Sequence, residues 1–479
     1  MKLFIALLCL INLAAFSQTD SNNAYFTDPI VVTGTRVETL RKHLPLTISL
    51  FTKEEIGNTN IPQVFSLIRS RVPGLFVTER SSLGFGLAQG SAGQLTLRGV
   101  GSNPNTQVLI LLDGRPQFMG LFGHPLPDNY ITSNADRIEV VRGPCSFLYG
   151  TNAMGGVINI ITRREKKDGY SFNLSQSYGT FASLVGDAGI GFKKNKFDGY
   201  VSFSRQQSNG SRPYSEFDLN NGYFKTGYKL SDNFDLIADG NYTKFKTFDP
   251  GPQSAPKIDN WVDITRLNGG FTIENRNNFT EGALKLIYNY GEHKIYDGFH
   301  SKDRDLNVSF YQTLTKLKNA SISVGIDYKN YGGNAENTKT GYQFGEFFMN
   351  ETGSYVHMQY LLLSKVSFNA GLRLEHNNIF GNELIPQFGV SYSVKENLTF
   401  RTNISKGFRS PTIRELYLFP APTPGLKPER MWSLEAGLQY NFKDVFSFEP
   451  VFYYEEGSNI IQTEGMFPNL KLSNSGSFI

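Results

Sequence analysis

The sequence predicts a mainly β protein, a transmembrane antiparallel β-barrel entered through a compact α/β unit. Three observations carry this. The chain holds 39 Phe, 24 Tyr and 47 Gly at a mean hydropathy of only −0.30; alternate residues alone of a membrane strand face lipid, so such a wall is invisible to a hydropathy scan. Beyond Arg164 apolar residues recur with period two, which means that one side of each strand meets an apolar medium. Short turns alternate with long polar loops, the asymmetry of an outer-membrane barrel that is tight on its periplasmic side.

The one long apolar run opens the chain. In "MKLFIALLCLINLAAFSQ", Lys2, the apolar core Leu3 to Leu13 and the pair Ala15 and Ser17 make residues 1–17 a secretory signal peptide, too short to span a bilayer. Leu8 is bulky where a lipoprotein signal ending at Cys9 needs a small residue. Removing the signal leaves Cys145 alone, so no internal disulfide is available. Lys and Arg number 47 against 43 Asp and Glu; this balance, with no basic block, excludes a dedicated nucleic-acid binder.

Residues 18–43 read as an N-terminal extension. Within it, Asp28 to Val32 of "DPIVVTGTRVE" is a β-prone run beside a glycine. It reads either as the first strand of the next domain or as a detachable strand that a partner captures by adding it to a sheet edge.

Residues 44–165 are of mixed type. "PLTISLFTKEEI" predicts a strand and a helix start, and "PQVFSLIRSRVPGLFV" a helix stopped at Pro73-Gly74 before another strand. "GQLTLRGVG" and "TQVLILLDGRPQ" are short strands ended by turn residues. "RIEVVRGPCSFLYGTNAMGGVINIIT", Arg137 to Thr162, reads strand, turn, short helix, glycine-rich bend, strand.

Residues 166–479 carry the wall pattern, with roughly fifteen candidate strands of about 10 residues each. Val201 and Phe203, Val366 to Leu374, and Trp432 to Phe442 each place alternate apolar residues on one face. "KKNK", "SDN" and "KEN" are the short turns; "SNGSRPYSEFDLNNG" and "TFDPGPQSAPKIDN" are among the long loops.

In "DPIVVTGTR", "QLTLRGVG", "VLILLDGRP", "RIEVVRGPCSFLYGTNAMGGVINIIT", "SKGFRSPTIRELY" and "LKPERMWSLEAG" the chain resembles the TonB-dependent outer-membrane receptors. Importers of ferric siderophores, cobalamin and haem are among them, and the segments occur in family order over nearly the whole chain. The resemblance implies that the α/β unit is a plug inside the lumen of a 22-stranded barrel. It makes Asp28, Pro29, Ile30, Val31, Val32 and Thr33 the box bound by TonB, which works with its ExbB/ExbD motor, and so favours the captured-strand reading. It sets Arg98 and Arg142 opposite barrel glutamates, Glu435 among them.

Ligand contacts are expected from Arg80, Phe85 and Gln89 in the segment Arg80 to Gly93, and from Phe118, Met119 and His124 in Phe118 to Asp128. A thioether and an imidazole are metal-touching groups, yet a single histidine without a spaced partner is no metal site, and none is assigned. Haem-importing relatives carry a histidine between an FRAP-like and an NPNL-like motif. Here "FRSP" (Phe408 to Pro411) and "TPGL" (Thr423 to Leu426) enclose none, which lowers the haem reading.

The chain departs from the pattern in length. Twenty-two strands at ~25 residues each would take about 550, more than the 479 of the whole chain. The expectation is a C-terminally truncated barrel that does not insert as a closed transporter by itself, because lipid does not tolerate unpaired edges.

The expected function is energised uptake of a small-molecule metal chelate by a monomer in the outer-membrane lipid, a ferric siderophore first, with cobalamin or haem uptake and a passive porin as alternatives. No cofactor is implied. No enzyme is expected: G-x-S-x-G, P-loop and H-E-x-x-H patterns are missing, and the pair Asp303 and Asp305 reads as a solvated loop or strand end.

Overall fold

A computed structural model describes residues 29–81, 83–87, 93–102, 105–442, 446–466 and 469–479. Residues 1–17, Asp28 and Gln89 lie outside the described residues.

Ten short strands precede the wall. β1 (Ile30–Val31) and β2 (Thr39–Leu40) form a hairpin. β3 (Thr47–Phe51) is followed by β4 (Leu75–Val77), β5 (Leu95–Leu97) and β6 (Val100–Ser102), the last three making a small sheet. β7 (Val108–Leu112), β8 (Arg115–Gln117), β9 (Ala135–Arg142) and β10 (Gly156–Thr162) join β3 in a five-stranded sheet of order β3-β9-β10-β7-β8. β8 is therefore an edge strand.

Helix α1 (Lys53–Gly57) starts where Thr52 and Glu55 form a reciprocal capping box, satisfying two orphan N–H groups at once. Helix α2 (Val64–Ile68) buries Val64, Phe65, Leu67 and Ile68. These side chains cover one face of the sheet, where Ile110, Val140 and Ile158 point; Leu109, Leu111, Val141 and Val157 point to the other. With both faces covered, all five residues of β7 are buried, as a continuous apolar run requires. The glycine-rich stretch is a tight return: β9 ends at Arg142, Gly143 turns at φ +98, helix α3 (Ser146–Tyr149) follows, and β10 comes back antiparallel with Val157 opposite Val141.

The wall is a 17-stranded antiparallel sheet in sequential order, β11 (Gly169–Gly179) to β27 (Lys471–Phe478). Short β25 (Phe446–Phe448) and β26 (Val451–Glu464) both pair with β24 (Glu429–Phe442), so they are one stave interrupted at Glu449 and Pro450. Among the described residues β11 pairs only with β12 (Ser183–Lys194) and β27 only with β26, and the ends of the sheet do not meet.

Two expectations need correction. Strands reach 19, 18 and 21 residues at β18 (Phe299–Leu317), β19 (Ala320–Asn337) and β20 (Tyr342–Leu362), well beyond ten. Long connections are confined to 209–216, 249–260 and 410–428, while 180–182, 296–298 and 378–380 at the same end are tight. The cause is shared: polar residues read as loop join the ladder, as where Phe217–Lys229 takes in the last six residues of "SNGSRPYSEFDLNNG".

The wall is apolar outside and polar inside. Val201, Phe203, Leu372, Leu374, Trp432 and Leu434 are roughly half exposed, while their neighbours Ser202, Ser204, Arg373, Glu375, Ser433 and Glu435 are buried. Water would favour the reverse arrangement; lipid favours this one. The plug sits within the curve and is bonded to the wall at well-separated strands: Asn134 donates to Asn221 at 2.9 Å, Gly120 N to Asp303 at 2.9 Å and Phe408 N to Ser146 Oγ at 3.2 Å.

Wall glycines let the plug approach. A Cβ at Gly407 would lie 2.9 Å from the backbone of Met154, whereas at Gly186 it would meet nothing. We predict that Gly407→Val loosens the plug by about 1–3 kcal/mol, read as faster hydrogen exchange over residues 146–156. Gly186→Ala is expected to leave exchange unchanged; equal effects would contradict this seating.

Candidate functional site

At the short-turn end the N-terminal segment is built into the plug. Val31 and Thr33 are fully buried. Glu139, in the middle of β9, accepts hydrogen bonds from Val32 N at 3.1 Å, Thr33 N at 2.9 Å and Thr33 Oγ1 at 2.5 Å, and Arg137 Nε lies 3.0 Å away. Asn159 donates to Thr33 Oγ1 at 3.0 Å and Tyr149 OH to Thr33 O at 2.9 Å. Three residues on, Arg36 reaches the wall, 3.1 Å from Asp327 and stacked 5.0 and 4.9 Å from the rings of Tyr149 and Tyr355. In this conformation β1 has β2 as its partner, so Pro29 to Thr33 are not presented as a free strand.

The charged trio is brought together in part. Arg98, held at φ +55 in the turn after β5, lies 2.6 Å from Glu435 and 4.5 Å from the Tyr453 ring centroid. Thr47 Oγ1 donates to the same carboxylate. Arg142 finds a different partner: its guanidinium is 3.9 Å from Glu449, which also pairs with Arg401. These groups are largely buried, where ion pairs set orientation more dependably than net stability.

At the long-loop end plug and wall enclose a cavity of about 490 Å³. Phe85 and His124 line it, with Asp128 beneath. Arg80 stands beside it, 2.9 Å from Asp249 of the 249–260 loop. Phe118 and Met119 are not on its wall but buried in the plug–wall core, so neither is placed to touch a ligand there. The imidazole of His124 is uncharged, since burial pushes its pKa down to about 4. Nδ1 faces the Pro125 carbonyl at 3.0 Å; a carbonyl only accepts, so Nδ1 carries the proton and Nε2 keeps its lone pair.

Asp303 and Asp305 are neither solvated nor at a strand end. Both are buried within β18, Asp303 accepting from Arg266 at 2.8 Å and Asp305 from Asn289 and Asn307 at 3.0 and 2.6 Å. Period two puts residues i and i+2 on one face, and here that face is the lumen.

Two family models divide this architecture between them: the TonB-dependent Receptor Plug Domain matches residues 41–157 and the TonB dependent receptor-like, beta-barrel family residues 254–477. The chain belongs to the TonB-dependent receptors. It is 25% identical over 447 residues to the vitamin B12 transporter BtuB of Photobacterium profundum, covering 91% of this chain and 70% of that protein. With the BtuB of Vibrio vulnificus strain YJ016 it shares 24% over 447 residues, covering 86% and 67%. Among solved structures, the siderophore receptor PirA of Pseudomonas aeruginosa superposes with a TM-score of 0.73 at 18% identity, covering 90% of this chain and 79% of that one. The FrpB iron transporter of Neisseria meningitidis gives 0.74 at 17%, covering 90% and 75%.

TonB-dependent receptor barrels are outer-membrane proteins, so the apolar outer band of this receptor faces lipid. Several residues that build its two sites escape sequence reasoning. Glu139 sits inside the quoted "RIEVV" yet reads as strand filler. Arg36 ends "VVTGTR" but lies outside the box. His293, Phe245, Arg414 and Phe419 reach the cavity from the wall; alternation from Ile287 through Asn289 and Gly291 puts His293 on the lumen face, but only tertiary structure sets the plug's His124 across the cavity from it.

Two predictions follow from the buried carboxylates. Glu139→Ala removes the acceptor of two backbone N–H groups, each charged bond worth about 1.5–3 kcal/mol; exchange over residues 30–36 should rise at least tenfold, and unchanged exchange would show the segment is held otherwise. Burial pushes the Asp128 carboxyl up to about 7, so the folded state binds a proton that the unfolded state has lost. Stability from this group is full below about pH 4 and falls as pH rises toward 7, by up to ~1.4 kcal/mol per unit. Asp128→Asn should flatten that slope in thermal midpoints measured from pH 4 to 7.

Proposed function

We propose that this receptor takes up a metal chelate across the outer membrane with energy delivered through TonB, and that the cargo is a ferric siderophore. The cavity supports this reading. It is closed by plug and wall together, its rings include Phe122, Phe299, Phe344 and Phe419, and Arg414 is the one cation along it among the described residues. Apolar rings suit the organic rim of a chelate, and a guanidinium suits the negative charge that ferric catecholates carry. Uncharged His124 supplies an acceptor without adding charge.

Energised uptake fits the way Pro29 to Thr33 are held. A pull on this segment must first break the Glu139 contacts and then load Arg36 against Asp327 of the wall. Local opening costs less than unfolding a whole domain.

Cobalamin is the second reading, favoured by the likeness to proteins named vitamin B12 transporters. Growth of a deletion strain on ferric siderophores as iron sources, and on cobalamin, tests both. Arg414→Ala separates them: binding of an anionic ferric chelate should weaken about tenfold, while uncharged cyanocobalamin should bind as before. Removing residues 28–33 should keep binding and abolish uptake; uptake that persists would mean passive flow.

A further inference from the structure

Arg414 enters the cavity at the long-loop end from the 410–428 connection, yet its guanidinium has little to hold it. Nε is buried without a hydrogen-bond partner among the described residues, and the group lies 5.5 Å from the Phe419 ring centroid. A buried donor left open is costly until an acceptor arrives. The direction of this side chain therefore has to come from the backbone that carries it.

That backbone is fixed from several sides. Phe419 N donates to Arg414 O at 3.2 Å, closing one wide helical turn, Arg414–Leu418, which sets Arg414 and Phe419 side by side on the cavity. Arg414 N donates to Leu121 O of the plug at 2.9 Å. Where the turn begins, Thr412 and Glu415 cap one another. Thr412 N and Oγ1 donate to the Glu415 carboxylate at 2.7 and 2.9 Å, and Glu415 N donates to Thr412 Oγ1 at 3.3 Å, the reciprocal arrangement that fixes a helix entry.

The Glu415 carboxylate is itself clamped. Arg409, the last residue of β23 (Leu398–Arg409), donates to both of its oxygens at 2.8 and 3.2 Å, a bidentate geometry that constrains direction as well as distance. Glu429, opposite Arg409 on β24, anchors that guanidinium at 2.6 Å and also accepts from Gln107 Nε2 and Ile461 N, both at 2.8 Å. Burial by itself would raise the Glu415 carboxyl, but Arg409 outweighs it and holds the group below the usual carboxylate range. A negative charge next to the cavity's cation opposes the attraction of an anion, so charge alone gives Glu415 no use there.

We propose that Glu415, clamped by Arg409, is a positioning residue that aims Arg414 and Phe419 at the cargo, so that preference for an anionic metal complex depends on this carboxylate as well as on the cation. This rests on the reading that the cargo is an anionic chelate and deepens it by naming what sets the specificity of its site. The two roles open to Glu415 differ in sign. If it acts only by its charge, removing it makes the cavity more positive and an anion binds more tightly. If it acts by position, Arg414 loses its direction and an anion binds less tightly.

Equilibrium binding to the full chain in detergent separates them, with iron(III) tris-catecholate, hexacyanoferrate(III) and uncharged cyanocobalamin as probes. Glu415→Ala should weaken binding of both anions about tenfold, as Arg414→Ala does, and change that of cyanocobalamin by about twofold or less. Glu415→Ala combined with Arg414→Ala should bind no worse than Arg414→Ala alone, because residues acting through one group are not additive. Hydrogen exchange over residues 146–156 matching the unmodified receptor shows that a variant is folded. Where Glu415→Ala fails that check, Glu415→Gln takes its place; it keeps an acceptor for Thr412, loses the charge that Arg409 clamps, and should also weaken the anions.

Tighter or unchanged anion binding without the carboxylate, additive losses in the double variant, or an equal loss of cyanocobalamin overturns the positioning role. Catecholate binding that Arg414→Ala weakens and Glu415→Ala does not overturns it too, and leaves the chelate reading standing. A receptor that binds hexacyanoferrate(III) through Arg414 but no catecholate, with the same loss in Glu415→Ala, supports the positioning role and counts against the siderophore reading. Binding of neither anion overturns both.

Discussion

Period two ties the outside of the wall to its inside. Each strand that offers Val201 and Phe203 to lipid must turn Ser202 and Ser204 inward, and over a wide sheet this makes a large polar surface that has to be satisfied without closing the lumen for good. The plug is the answer the fold supplies. It meets the polar wall with hydrogen bonds and ion pairs, such as Asn134 on Asn221 and Arg98 beside Glu435, and packs apolar side chains such as Phe118 and Leu87 against the few apolar residues the wall turns inward.

The kind of contact follows from which residues the wall offers. Where glycines stand at 371, 389 and 407, backbone and side chains of the plug press close. Where asparagines and aspartates line the lumen, the plug is hydrogen-bonded to them, as Arg115 to Asp239 and Gly120 N to Asp303. Buried ion pairs such as Arg115 with Asp239 give little net stability for their desolvation cost.

The N-terminal segment adds the second element. Glu139 is a carboxylate set into the apolar middle of β9, and it is satisfied by backbone N–H groups of a segment outside the plug sheet. Release of the segment would leave Glu139 with Arg137, 3.0 Å away on the same strand, in place of the backbone donors. Arg36 carries the same segment to Asp327 on the wall, linking plug underside and barrel through one stretch of chain. The long-loop cavity and the buried N-terminal segment thus sit at opposite ends of a single packed body.

The sequence by itself determined the class of this protein. Alternation reported lipid on one face of the wall strands, glycine and turn residues reported the strand–turn–helix–strand return of Arg137 to Thr162, and the quoted motifs reported the family. These are local or periodic properties, legible because neighbouring residues generate them. Tertiary structure decided the rest: that Asp303 and Asp305 lie in the lumen and not in solvent, that Met119 is core while His124 borders a cavity, that Arg142 meets Glu449, and that Val32 and Thr33 are bonded to Glu139. Each of these depends on which strand passes opposite the plug at a given height. That registry joins residues a hundred or more positions apart, and no periodicity along the chain encodes it.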